Sequence, residues 1–307
     1  RYQQAIKCDP QYAEAYNNLI AILKIHDFER ENMGEIFINN QLIAKNGKKI
    51  LNSNLSDPVD PTLNFVKESL PLLTLQNYKL RTEESQIYRH GTENFNCNRH
   101  MELFEKNSII SQFCFGCYKV QVTVDTVVEL IKLTSLFYRL NLNSDTTAKT
   151  FIELRPNISG YYKGLIYCRG LDRAELYSEL VHRELKNSPV VYNEPEIKRG
   201  CSEFPIVFPK YAILPDTENE HMNYPIEWHD VEKKFDKIRG QSIVKSGTLS
   251  FARFSLLDMA IIEKWIDYAK GLGDSSINCF SDSPIVCSDV YKAAQKRKEF
   301  YLGVSNK

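Results

Sequence analysis

YKVQVTVDTVVELIKLTSLFYRL, residues 118–140, carries the transition on which the fold turns. Tyr118, Val120, Val122 and Val124 alternate with Lys119, Gln121 and Thr123, the period-two pattern of a strand with one buried face. The spacing then becomes helical. Asp125 or Thr126 supplies an N-cap, Glu129 three residues after Thr126 makes a capping box, and Val127, Leu130, Ile131 and Phe137 form the buried stripe of a helix reaching Leu140. Further along, 150–155 reads as a second strand with Ile152 and Leu154 on one face. Pro156, Asn157 and Gly160 make a turn, and 161–169 reads as a third strand. Asp172 and Glu175 form a second capping box, opening a helix to about Leu185 that Pro189 closes. A fourth strand falls within 190–207.

The order strand–helix–strand–strand–helix–strand predicts a split βαβ, ferredoxin-like sandwich inside an α+β chain, with two helices on one sheet face. With the valines on the helices, the other face carries Lys119, Gln121, Thr123, Phe151, Glu153, Arg155, Tyr161, Lys163, Tyr167 and Arg169. Basic groups interleaved with aromatics stack bases and hold phosphates, so Lys119, Phe151, Lys163 and Tyr167 are candidates for single-stranded RNA. Residues 163–167 depart from the RNA-recognition signature, which wants an aromatic at Leu165 and a small residue at Ile166. The plainer expectation is a polar face covered by the C-terminal segment. Two dense polar turns, 155–160 (RPNISG) and 198–203 (KRGCSE), bring Arg155, Arg199, Cys201 and Glu203 to one end of the sheet as the candidate catalytic set. A Cys201 nucleophile needs a base beside it.

Before the first strand, Cys97-Asn98-Arg99-His100 precedes Cys114-Phe115-Gly116-Cys117. Two pairs, each separated by two residues, let single turns present two ligands to a tetrahedral zinc. Cys97, His100, Cys114 and Cys117 are therefore the metal candidates, with His90 and Cys201 as substitutes. Four protein ligands would make the zinc closed and structural. An iron–sulfur cluster on Cys97, Cys114, Cys117 and Cys201 is the alternative. A redox pair is disfavoured because Cys114 and Cys117 run into a strand, not a helix N-terminus; buried thiols also serve simply as small hydrophobes. Eight cysteines in a chain that needs no staples point to a reduced, cytoplasmic protein.

Residues 1–23, RYQQAIKCDPQYAEAYNNLIAIL, read as two helices broken by Pro10, the second with Ala15, Tyr16, Leu19, Ile20 and Leu23 as its stripe. Tyr2, Ala5 and Pro10 match the second helix and closing proline of one tetratricopeptide repeat, and Tyr16 and Leu19 the start of the next, so this segment resembles that family. Ile20 stands at the family's glycine position, and Asn32 and Asn39 where a small residue and an alanine belong, so about one and a half repeats are visible. The resemblance implies a scaffold that binds a protein or peptide partner, through Tyr2, Tyr16 and Asn17. Because such repeats need about three neighbours, it also implies more repeats upstream of Arg1. The chain starts there without Met and reads as a fragment of a longer one. Such helices also serve as atypical caps covering the next domain.

The rest bounds the answer. The chain has 307 residues, 43% hydrophobic and 25% charged, which excludes a mostly disordered protein, a collagen and a coiled-coil rod. Thirty-nine basic residues balance 39 acidic ones, so no whole-chain field draws in nucleic acid or membrane. The best apolar stretch, 249–266, is interrupted by Arg253, Asp258 and Glu263 and cannot span a bilayer. Glycine-rich phosphate loops, dinucleotide fingerprints, His-Glu-x-x-His and Gly-x-Ser-x-Gly are absent from the sequence. Residues 52–62 read as a linker, Leu63 to about Leu70 as a helix ended by Pro71, and 79–98 gives no clear element. Residues 211–250 look irregular, anchored by Trp228 and Phe235. Ser255 and Asp258 then open a helix that Gly271 ends. A last helix, 289–300, presents Lys292, Lys296, Arg297 and Lys298 as a solvated face. The segments are thus 1–51 (repeat-like helices), 52–96 (linker with a helix), 97–210 (α/β domain with the metal candidates) and 211–307 (irregular, then helical). The first functional expectation is a partner-recruiting scaffold with a zinc-stabilised α/β domain. The second is an enzyme with a pocket at the 155–160 and 199–203 turns, the repeats positioning its substrate; RNA binding is the third. A cavity with displaced proton affinities at Cys201, Glu203 or Glu153 favours the enzyme, and a closed four-ligand site without a cavity favours the scaffold.

Overall fold

In the computed structural model, which describes residues 1–26, 34–50, 60–76, 78–215, 220–240 and 248–305, Pro10 separates α1 (Tyr2–Cys8) from α2 (Ala13–Leu23). α2 buries the stripe Ala15, Tyr16, Leu19, Ile20 and Leu23. In α3 (Glu35–Gly47), Asn39 is buried and donates from its side chain to the Leu72 carbonyl at 3.0 Å. Asn32 lies outside the described residues, as do residues 52–59 of the expected linker. The end of that linker is helical instead. Asp60 accepts from the Thr62 amide at 2.8 Å and Pro61 opens α4 (Pro61–Ser69), a position where proline's missing N–H costs nothing. Pro71 does not end the helical path; it sits within a 3₁₀ turn, Leu70–Leu73. β1 (Thr74–Leu75) and β2 (Tyr78–Lys79) form a small ribbon.

The 79–98 stretch supplies an edge strand, β3 (Gln86–Arg89), and the first turn of α5 (Cys97–Asn107). The single turn α6 (Gln112–Phe115) leads into β4 (Cys117–Val124), then α7 (Val127–Arg139). Thr126 accepts from the Glu129 amide at 3.2 Å, while the Glu129 carboxylate turns to Lys132 and the Val191 amide. β5 (Ala148–Ile152) and β6 (Tyr162–Arg169) follow. α8 (Leu171–Lys186) starts at Gly170 with no side-chain cap, so the second capping box does not form. Asp172 lies in the first turn, where its charge suits the helix dipole. β7 (Glu196–Arg199) is the fourth strand.

The sheet runs β3–β5–β6–β4–β7 with every neighbouring pair antiparallel. The chain is α+β, with helical segments at both ends. Val120, Val122 and Val124 are fully buried on the face covered by α7, and Thr134 of α7 shares a hydrogen bond with Thr150 of β5 at 2.7 Å.

Beyond the sheet lie α9 (Phe204–Val207) and, within the stretch expected to be irregular, α10 (Trp228–Arg239). Phe235 is buried there and Trp228 packs on Phe208 and Tyr224. α11 (Leu256–Leu272) is capped by Ser255, which accepts from the Asp258 amide. It passes through Gly271 and stops at Gly273, whose φ of 77° is left-handed. Gly271 serves close approach instead: a Cβ there would lie 2.6 Å from the Tyr291 carbonyl oxygen of α12 (Ser288–Ser305). Nor is α12's basic run wholly solvated. Arg297 is fully buried, donates to the Ile158 and Gly160 carbonyls at 2.8 and 3.2 Å, and lies over the Tyr161 and Tyr301 rings.

One core cluster runs from Tyr16 and Ile43 through Phe65, Val120 and Leu133 to Trp265 and Ala294. That cluster draws buried residues from each of the four expected segments, 1–51, 52–96, 97–210 and 211–307. Lys24 at the end of α2 is one joint of this core: it donates to Asp258 of α11 at 2.7 Å, to the Arg253 carbonyl at 2.9 Å and to the Tyr138 hydroxyl of α7. Two smaller clusters, around Ile110, Cys114, Phe204 and Tyr211 and around Leu103, Ile109 and Phe235, hold α5, α9 and α10 together. Arg99 of α5 ties them by pairing with Glu232 and Asp236 of α10, at 2.6 Å each.

Candidate functional site

Strand alternation sends Cys117, Lys119, Lys149, Phe151, Leu165, Tyr167 and Gln86 away from α7, onto the open face. Cys97 and Met101 of α5, residues 153–155 after β5 and residues 200–203 after β7 rise around them. Together they enclose a cavity of about 460 Å³, the size of a small-molecule site.

Two lysines, Lys119 and Lys149, line this space. Lys119 Nζ donates to the Gly200 carbonyl at 3.2 Å. Lys149 Nζ donates to Gln86 Oε1 at 2.9 Å and lies 5.5, 4.9 and 5.6 Å from the ring centres of Tyr88, Phe151 and Tyr167. Among the described residues neither forms an ion pair with a carboxylate. Burial, reinforced by the positive charges of Lys119 and Arg155, brings the Lys149 amine down to about 8. Burial lowers Lys119 as well.

The rim is an ion-pair network. Glu153 accepts from Arg155 Nε and Nη2, both at 2.9 Å, and from Lys163 at 3.1 Å. Burial alone would raise its carboxyl, but Arg155 and Lys163 hold it down at about 2. Arg155 also reaches Ser202 and Glu203 at 3.2 Å each, joining the two polar turns. Tyr268 of α11 donates to the Glu153 carbonyl at 2.6 Å, and Arg297 pins the carbonyls of residues 158 and 160 behind the network.

Of the expected catalytic residues, Arg155, Cys201 and Glu203 come together at this rim. Arg199 does not: its guanidinium lies over the Tyr118 and Tyr211 rings and donates to the Phe115 and Tyr211 carbonyls. Burial pushes the Cys201 and Cys117 thiols up to about 12, so at neutral pH they are thiols and not nucleophilic thiolates. Of the RNA candidates, Lys119, Phe151 and Tyr167 line the cavity and Lys163 is engaged with Glu153. Phe151 and Tyr167 thus share the recess with the two lysines.

Scanned against protein-family models, the chain matches none, and neither the curated proteins nor the solved structures give a match.

The expected zinc set divides among three surroundings. Cys97 and Cys117 line the cavity, and Cys117 sits against Gly200. Cys114 is buried among Ile110, Phe204 and Tyr211. His100 stacks on Phe113 at 5.1 Å with Nδ1 3.1 Å from Arg99, and burial lowers its pKa to about 4. Among the described residues no three of His, Cys, Asp and Glu gather as a metal-holding group, whether with His100 or with Cys201 as the fourth member. His90, the possible substitute, stacks on Tyr88. At the N-terminus, Tyr16 is 5% exposed and its ring stacks on Tyr78 at 4.2 Å, so it is not offered to a partner. Asn17 is half-buried, its Oδ1 without a hydrogen-bond partner among the described residues, and Tyr2 is exposed. Among the described residues no helix is long and apolar enough to cross a membrane.

Lys149 was missed because the second strand was expected to start at Thr150. The alternation Phe151–Lys149, extended back by one step, places it on the open face beside Tyr167.

Proposed function

We propose that this chain is an enzyme that binds a small anionic molecule in the open-face cavity. The observation that carries the reading is the pair of lysines: Lys119 and Lys149 bring two amines to one recess without a carboxylate partner among the described residues. Buried cations are ordinarily paired, and an anionic ligand group would complete the pairing. The Glu153–Arg155–Glu203 network supports the same reading, because it fixes the rim through charge-assisted hydrogen bonds. A cavity with displaced proton affinities is the arrangement that favours catalysis over a closed structural site.

The strand order supports a ferredoxin-like assignment for the α/β part, and the α1–Pro10–α2 unit supports the tetratricopeptide one. On that assignment the exposed side of these helices, around Tyr2, recruits a protein or peptide in the cytoplasm.

The test is ligand-observed NMR and thermal unfolding with oxalate, pyruvate and inorganic phosphate, on the wild type and on Lys119→Met. At least one anion should bind the wild type and raise its Tm, and Lys119→Met should weaken it by about tenfold or more, the worth of one charge-assisted hydrogen bond. If no anion distinguishes the two proteins, the reading fails.

A further inference from the structure

We propose that Lys149 is a covalent amine nucleophile that condenses with the carbonyl carbon of a small oxo acid held in this cavity. The inference rests on the anion-binding reading above and names its substrate class.

Lys149 lines the cavity, with its amine beside Phe151 and Tyr167, which line it too. Its side-chain acceptor is the neutral Gln86 oxygen at 2.9 Å. Glu153, a carboxylate of the same cavity, is committed to Arg155 and Lys163. Nothing in these contacts fixes the amine as one half of an ion pair. Tyr88, Phe151 and Tyr167 surround it with aromatic carbon, and Lys119 and Arg155 add positive charge to the same recess. A desolvated lysine beside other cations is the arrangement that exposes a free amine for attack on a carbonyl. With the amine at about 8 against an ordinary lysine value near 10.4, roughly two hundredfold more of it is unprotonated at neutral pH.

The two lysines then divide the work. Lys119, donating to the Gly200 carbonyl, has donor capacity left for a carboxylate. Lys149 meets the adjacent carbonyl. Its nitrogen lone pair forms the C–N bond while the carbonyl π electrons move to oxygen. The two hydrogens originally on the neutral nitrogen leave with that oxygen as water, and a C=N bond remains. The step balances without an oxidant or reductant.

The experiment is reductive trapping on the full chain. Pyruvate or glyoxylate is added with cyanoborohydride, and the modified lysines are mapped by peptide mass spectrometry. Lys149 should be labelled about tenfold faster than the other lysines. Lys119→Met removes both the carboxylate donor and a charge that lowers the Lys149 amine, so it should slow labelling by the anionic probes several-fold more than labelling by neutral acetaldehyde. Lys149→Arg, which keeps a cation among the rings, should fold, bind pyruvate and take no label at this position. Equal labelling across lysines, or none at Lys149, overturns the inference. If pyruvate still binds and Lys119→Met weakens it, the anion-binding reading survives that outcome; if binding is absent too, both fall.

Discussion

The joint between the two ends of the chain gives the sharpest test of how this fold is held. Replacing Lys24 with Met keeps an unbranched stem and removes the ammonium. Asp258, 1% exposed, would then keep the Tyr138 hydroxyl at 3.2 Å and the Ser255 hydroxyl at 3.0 Å but lose the cation at 2.7 Å. Both partners of the pair are almost wholly out of water, so the relevant magnitude is that of a buried pair broken on one side, about 3–5 kcal/mol. Against a total stability of about 5–15 kcal/mol this is a large fraction. The measurement is the urea midpoint at constant m-value. Asp258→Asn on the same background removes the stranded charge and leaves a group that still accepts at the helix cap, so the double variant should recover most of the loss. A cost below about 1 kcal/mol for Lys24→Met, the worth of a surface pair, would refute the argument. So would a double variant that simply sums the two losses.

Two other perturbations follow from the described geometry. His100 is held neutral by burial, with a folded value of about 4 against an unfolded value near 6.5. Below 6.5 the unfolded chain binds the extra proton first. The contribution is therefore complete above pH 6.5 and is lost as the pH falls toward 4, with a slope of up to about 1.4 kcal/mol per pH unit. His100→Phe, which keeps the stack on Phe113, should flatten that part of a stability–pH curve; an unchanged curve refutes it. Gly271→Ala places a methyl 2.6 Å from the Tyr291 carbonyl oxygen and should cost about 1–3 kcal/mol by forcing α11 and α12 apart, read as a shift in the denaturation midpoint. No shift at all would mean that α12 is not seated as described.

The alternation of Tyr118 to Val124 and the helical stripe after it were legible because one buried face imposes one period. The polar network was legible in part: turns 155–160 and 198–203 meet, and Arg155 is the residue that joins them. Other features were hidden for specific reasons. β3 is short and polar on its open face, so its pattern did not rise above that of a loop. The direction in which Arg199 points depends on Tyr118 and Tyr211, one of them twelve residues away along the chain. Arg297 looked solvated because a helical run of basic residues ordinarily is, and only the 155–160 turn, far away in sequence, supplies the carbonyls that bury it. The cysteine and histidine pairs had suitable spacing, but spacing cannot say that α5 turns His100 toward Phe113 while Cys97 faces the cavity. For Arg199, Arg297 and His100 the missing information was a contact between separate elements.

The sheet also acts as a partition. The N-terminal helices attach on the α7 side, through Lys24 with Tyr138 and through Asp60 with Lys132 at 2.8 Å, while the cavity opens on the reverse face. On the readings proposed above, a macromolecule on the helices and a ligand in the recess would lie on opposite sides of the sheet. Ligand entry should then proceed at the same rate whether or not a partner occupies the helices.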